Sequence, residues 1–177
     1  MMNYATIKKC DVANGPGVRV SLFVSGCSHH CKGCFNQEAW DYNYGNKFTE
    51  KEETEVMNAL KPEYIEGLSL LGGEPLDLKN QEGLLPIVKK AKELYPEKPI
   101  WCYTGYLFDK QVMGEMAQTN ETTNELLKYI DYVVDGQFVE TLKNPSLKFR
   151  GSSNQRIIDV QKTLENKEIT LWDRMDD

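Results

Sequence analysis

The stretch SGCSHHCKGCFN, residues 25–36, gathers Cys27, Cys31 and Cys34 into eight positions of a chain with five cysteines. Thiolates are soft ligands that suit zinc or an iron–sulfur cluster. The spacing C-x3-C-x2-C supplies three of them where a closed site normally takes four, and no fourth cysteine lies near in sequence. Gly26 and Gly33 let so short a loop bend round a compact cluster and point its amides at the sulfides. Three thiolates hold three irons of a cubane 4Fe–4S cluster and leave the fourth iron open, as catalytic zinc sites keep one open position. Two readings stand beside this one: a zinc site completed by His29, His30, Cys10 or Cys102, and a closed electron-transfer cluster or inert thiols. His29 and His30 are expected as exposed loop polarity or as hydrogen-bonding groups near the metal. Cys10 and Cys102 are expected as small buried residues.

A second candidate is LLGGEP, residues 70–75. Gly72 and Gly73 let backbone approach a ligand without side-chain obstruction. Glu74 adds a negative group and Pro75 stiffens the exit, a surface better suited to a cationic amine than to a phosphate. Taken alone, the stretch reads first as a plain turn from strand to helix.

These residues need elements to position them. VRVSLFV, Val18–Val24, alternates Val18, Val20, Leu22 and Val24 on one face with Phe23 on the other, as in a strand buried on most of its surface. Thr49 and Glu52 form a T-x-x-E capping box that opens a helix to about Ala59. A short strand at Leu68–Leu71 leads into GGEP. A helix over Gly83–Tyr95 keeps the 3.6-residue period, and the strand IWCY, Ile100–Tyr103, ends at Thr104-Gly105. Asp109 is expected to cap a short helix through Met116, followed by a helix ending near Ile130. A strand at YVVDG ends at Asp135-Gly136, with Asp135 read first as a turn residue, and Ile157–Val160 is a candidate fifth strand. Strands alternating with helices predict an α/β fold with a mostly parallel sheet. Cys27, Gly72–Glu74, Thr104 and Asp135 then all follow C-terminal strand ends, the edge where such folds bind ligands. A full eight-unit barrel needs about 250 residues, so the expectation is an open, partial (β/α) barrel. Residues 1–177 read as a single domain, with no role assigned to the tail beyond about 156.

Composition narrows the function classes. Apolar residues make up 40% and charged residues 27%, as in a globular protein. With 27 acidic against 21 basic residues and a net charge of -6, nothing resembles a nucleic-acid footprint. No apolar run is long enough for a membrane span and the N-terminus lacks a signal-peptide pattern, so the expected setting is the cytoplasm without membrane attachment. An odd cysteine count with three clustered fits a metal site in a reducing compartment better than disulfides.

Cys27, Cys31 and Cys34 after one strand, with Gly72-Gly73-Glu74 after the next, resemble the radical S-adenosylmethionine superfamily. NGPGVRVSLFVSGC, CKGCFN, GLSLLGGEPL, WCYTGY, VDGQFV and NPSLKFRGSSNQ narrow the resemblance to the activating proteins of anaerobic ribonucleoside-triphosphate reductases, over about residues 11–156. The resemblance implies that Cys27, Cys31 and Cys34 ligate a 4Fe–4S cluster whose open iron is chelated by S-adenosylmethionine. It implies that Gly72, Gly73 and Glu74 meet the methionyl amine, chiefly through backbone, and that Gly33, Cys34 and Phe35 lie along the cofactor. Gly33 stands where many members carry an aromatic residue, so Phe35 is either an adenine-stacking substitute or core. The implied reaction is one-electron cleavage of the cofactor to a 5′-deoxyadenosyl radical, which takes a hydrogen atom from a glycine of the partner reductase. A low-potential, flavodoxin-like electron donor is implied as well. Thr104, Asp135, Arg150 and Ser152-Ser153-Asn154 are candidates to support the site or face the partner. The alternatives are a small radical S-adenosylmethionine enzyme acting on a metabolite, and a zinc or closed iron–sulfur interaction module.

Overall fold

A computed structural model describes residues 1–174. Strands β1 (Asn3–Asp11), β2 (Val18–Val24), β3 (Asn46–Lys47), β4 (Ile65–Gly72), β5 (Ile100–Tyr103), β6 (Tyr132–Asp135) and β7 (Arg156–Asp159) form one sheet in the order β3-β1-β2-β4-β5-β6-β7. The central four, β2, β4, β5 and β6, run parallel. The flanking strands β1, β3 and β7 pair antiparallel, so the parallel arrangement is confined to the centre of a mixed sheet. Helices α1 (Glu50–Leu60), α2 (Leu78–Leu94), α3 (Ala117–Thr119), α4 (Glu121–Leu127) and α5 (Val160–Asn166) complete the α/β chain. Among the described residues, no helix is long and apolar enough to cross a membrane.

The alternation in β2 sends Val20, Leu22 and Val24 into the main core, where they meet Leu68 and Leu70 of β4, Val56 and Leu60 of α1, and Leu84, Ile87 and Val88 of α2. The opposite sheet face is buried as well. Trp101, Val134, Ile157 and Trp172 form a second cluster there, with Tyr103, Tyr132 and Phe149 packed on it. Arg19 lies on this second face, fully buried, and its guanidinium donates to Ser69 Oγ at 2.8 Å and to the carbonyls of Leu68 at 3.1 Å and Pro99 at 2.7 Å. Those bonds replace the water lost on burial, which is the condition for a charged side chain to sit inside.

Several elements depart from the sequence expectation for identifiable reasons. Helix α1 begins where the capping box placed it: Thr49 Oγ1 accepts from Lys51 N at 3.3 Å and Glu52 accepts from Thr49 N at 2.9 Å. Helix α2 begins five residues before Gly83, because polar Asn80 and Gln81 are buried and bonded. Asn80 Nδ2 donates to the Glu74 carbonyl at 2.9 Å, and Gln81 Nε2 to the Leu76 carbonyl at 2.7 Å. Phe108–Met116 is a π-helical segment entered from Leu107, and Asp109 pairs with Arg156 instead of capping it. Strand β1 had no strong apolar alternation to announce it, and Cys10 within it is exposed, contrary to the expected burial. Cys102 is buried in mid-strand as expected. The described part of the tail forms α5 and returns to the sheet: Leu171 bridges Ile158, and Trp172 N donates to the Ile157 carbonyl at 2.8 Å.

Candidate active site

Because β2, β4, β5 and β6 are parallel, their C-terminal ends share one edge. A cleft of about 440 Å³ opens there, within the size range of small-molecule sites. Cys27, Cys31, Gly33, Cys34 and Phe35 line it from the loop after β2, and Gly72, Gly73 and Glu74 from the end of β4. Thr104 and Gly105 contribute from β5, Gly136 and Phe138 from beyond β6, and Phe149 and Arg150 from the late loop. The sequence-predicted loop and turn therefore face one space. Phe35 is 92% exposed, which removes its reading as a core residue.

The loop carrying the cysteines is anchored at its start by backbone. Gly26 N donates to the Ala39 carbonyl at 2.8 Å and Cys27 N to the Trp40 carbonyl at 3.1 Å. Asp77, at the N-cap of α2, holds the next residue: its carboxylate accepts from Ser28 N at 3.1 Å and Ser28 Oγ at 2.9 Å, and from the hydroxyls of Tyr42 and Tyr106. Further along, Cys34 N donates to the Cys31 carbonyl at 3.2 Å and closes a turn. His30 stands at φ +50 and stacks on Trp40 at 4.6 Å between ring centroids.

The Gly72–Glu74 turn is pressed against this loop. Gly73 N donates to the Val24 carbonyl at 2.8 Å and Glu74 N to the Gly26 carbonyl at 2.7 Å. A Cβ on Gly73 would stand 2.4 Å from the Gly26 carbonyl oxygen, so the missing side chain admits the cysteine loop as well as any ligand. Glu74 is 1% exposed, and its carboxylate accepts from Leu76 N at 2.9 Å, Gly105 N at 2.7 Å and His29 Nε2 at 2.8 Å. With the Gly73 and Glu74 amides and both the carboxylate and the carbonyl of Glu74 engaged inside the protein, the turn has the carbonyls of Gly72 and Gly73 to offer a ligand, the partner an amine requires.

Electrostatics at Cys27 and Cys31 favour the neutral thiol while no metal is bound. Burial pushes the Cys27 thiol up to about 11, the Glu74 and Asp77 charges adding to the shift against opposing backbone hydrogen bonds. Burial raises Cys31 as well. A metal taken up here must displace those protons. Burial works to lower the His29 imidazole, but the hydrogen bond and charge of Glu74 outweigh it and hold the ring above its ordinary value.

The donor set fits a cluster with three protein ligands. Cys10 and Cys102 lie outside the cleft lining, and both ring nitrogens of His29 are engaged, with Glu74 and with Gln137 Nε2 at 3.0 Å. Among the described residues, no three Cys, His, Asp or Glu side chains converge on a single metal ion. A cubane asks for no such convergence, since each thiolate takes a different iron. Other predicted residues have structural partners: Asp135 is fully buried and binds Arg156 and the Phe108 amide, and Ser152 Oγ accepts from Val139 N at 3.1 Å. Asn154 Nδ2 donates to the Gln137 carbonyl at 2.8 Å. Sequence reasoning passed over Asp77, Tyr42 and Gln137; the one available signal was Asp77 two residues after Pro75, at a helix start.

Residues 13–158 match the 4Fe-4S single cluster domain family. The anaerobic ribonucleoside-triphosphate reductase-activating protein of Haemophilus influenzae is 44% identical over 158 residues, covering 88% of this chain and 97% of that protein. The protein of the same name from Vibrio cholerae is 42% identical with the same coverage, and that of Escherichia coli K12 is 42% identical over 87% of this chain and 96% of its own length. With the match spanning nearly the whole of these proteins, the chain belongs to the family of anaerobic ribonucleoside-triphosphate reductase-activating proteins.

Proposed function

We propose that the protein activates an anaerobic ribonucleoside-triphosphate reductase by reductive cleavage of S-adenosylmethionine, leaving a glycyl radical on that partner. One observation carries the reading: Cys27, Cys31, Cys34 and Gly72–Glu74 line a single cleft at the C-terminal edge of the parallel strands. When bound, a 4Fe–4S cluster supplies the low-potential electron, and the cofactor supplies the acceptor for a hydrogen atom of the partner's glycine.

The chain's own residues divide the remaining work. Cys27, Cys31 and Cys34 hold the cluster as thiolates. The carbonyls of Gly72 and Gly73 orient the cofactor's amine, while Glu74 fixes the turn through Gly105 and Leu76. Gly33, Cys34 and Phe35 form the wall along the cofactor, and the exposed Phe35 ring is free to cover its adenine. The domain, residues 1–177, is best described as an open partial (β/α) barrel, because the sheet runs from β3 to β7 without closing on itself, the outer side of β7 meeting, among the described residues, only the tail at residues 170–172. An incomplete wall gives a glycine on another protein a way in, which a closed pocket for a metabolite would deny. A flavodoxin-like donor in the cytoplasm fits the electron the reaction needs.

The test is electron paramagnetic resonance of anaerobically reconstituted, dithionite-reduced protein with and without S-adenosylmethionine, then after mixing with the reductase. The expected result is a reduced-cluster signal that changes with the cofactor, followed by a glycyl doublet on the partner. Replacing Cys31 by Ala is expected to abolish cofactor cleavage together with the cluster. A cluster signal indifferent to the cofactor, or turnover persisting in Cys31→Ala, would sink the proposal.

A further inference from the structure

His29 lies midway between Cys27 and Cys31, two residues from each, yet its side chain is directed across the strand ends. The side chain is 8% exposed, and its Nε2 donates to Glu74 Oε2 at 2.8 Å. Glu74 Oε2 also accepts from Gly105 N at 2.7 Å, so one carboxylate oxygen joins the cysteine loop to the ends of β4 and β5. His29 Nδ1 takes a hydrogen bond from Gln137 Nε2 at 3.0 Å, which reaches the segment after β6. The ring also meets Tyr106 edge-on at 4.3 Å and closes over Gly105, where an added Cβ would stand 2.6 Å from Cδ2.

We infer that His29 is a positioning residue: a strut that fixes the middle of the cysteine loop against the Gly72–Glu74 turn and so sets the spacing between the two walls of the cleft. The inference rests on the reading that the two walls hold a cluster and its cofactor. A buried imidazole needs a hydrogen-bond partner for each nitrogen, near or far in sequence. Here the partners are 45 and 108 residues away in sequence and belong to different strand ends. Without the imidazole, the loop keeps its backbone anchors at Gly26 and Cys27 and its Asp77 contacts at Ser28, all ahead of Cys31 and Cys34. The link across the cleft edge from the middle of the loop is lost. The three thiols remain, so the capacity to take iron is expected to survive while the register of the loop against the turn is not.

The test compares His29→Ala with His29→Gln, whose amide can still donate to Glu74, in anaerobically reconstituted protein. His29→Ala is expected to retain the parent's iron and sulfide content. Its affinity for S-adenosylmethionine, read from the change in the reduced-cluster signal during titration, is expected to fall by about tenfold or more, the lower end of what loss of a supporting contact around a metal site costs. Hydrogen exchange should quicken at the Gly105 amide and across residues 28–34, and His29→Gln should recover most of both effects. The strut is overturned if His29→Ala matches the parent in titration and exchange, or if iron is lost from both variants, which would make His29 a ligand or a folding requirement. Failure of the underlying reading appears elsewhere, in a parent cluster that ignores the cofactor, and the exchange comparison still judges the strut in that case.

Discussion

Gly26 stands at φ +96 with the Tyr42 ring where a side chain would be: a Cβ there would lie 2.0 Å from Tyr42 Cδ1. The conformation is disfavoured for any other residue, and the overlap with a ring held by Asp77 cannot be relieved by a small rotation. Gly26→Ala is therefore expected to cost at least ~2 kcal/mol, measured by denaturant unfolding of the reconstituted protein, with iron content falling in parallel. Tyr42→Phe removes one hydroxyl from a carboxylate that keeps Ser28 and Tyr106, so a loss of about 1 kcal/mol is expected. At this scale the cysteines were legible because ligand chemistry is written in residue type and spacing. The commitment of Glu74 was not, since its donors His29 and Gly105 lie 45 and 31 residues away and no local pattern announces them. The sequence reading gave Glu74 a charge to offer a ligand; the fold satisfies that charge internally.

Arg156 joins three elements: its guanidinium bonds Asp135 at the end of β6 through Nε at 3.0 Å, and Asp109 in the π-helical segment through Nη2 at 2.8 Å. Asp135 is fully buried, so Arg156→Ala would strand a carboxylate without its counter-charge. The expected cost is about 3–5 kcal/mol, and Arg156→Lys, with a single ammonium for two carboxylates, should recover only part of it. Arg156 also holds the Asp109 carboxyl below its ordinary range. A depressed carboxylate stabilises the fold above its unfolded value, near pH 4, and that contribution fades as pH falls through the lower folded value. The difference in stability between parent and Arg156→Ala should thus narrow on acidification; a constant difference would show that Asp109 adds nothing. Elements with a strong local signature, such as β2, β5 and the capped start of α1, were readable. The early turn of α2 and the π-helical segment were not, because buried amides and a distant arginine, rather than periodicity, decide them.

Across the whole molecule, the sheet has a helix-covered face and a second face closed by the late loop and the tail. The chain order of strands and helices announced the first face, and with it the shared edge that carries the cleft. The second depends on residues brought back from far along the sequence, which is why the tail could not be assigned a role. Trp172 settles on Trp101 with their rings edge-on at 5.2 Å, and also meets Phe149, which lines the cleft. Trp172 is 7% exposed, so its ring is a covering for the buried Trp101, on which Arg19 lies, rather than a surface for a partner. Trp172→Ala should lower unfolding stability by about 3 kcal/mol or more, the range for removing a large aromatic from a core. Of the rings that meet Trp172, Phe149 lines the cleft while Trp101 and Tyr132 do not, so iron content should hold while the protein remains folded. A partner-binding handle would give the opposite pair of results, unchanged unfolding with weakened association to the reductase, and measuring both on the same variant decides between them.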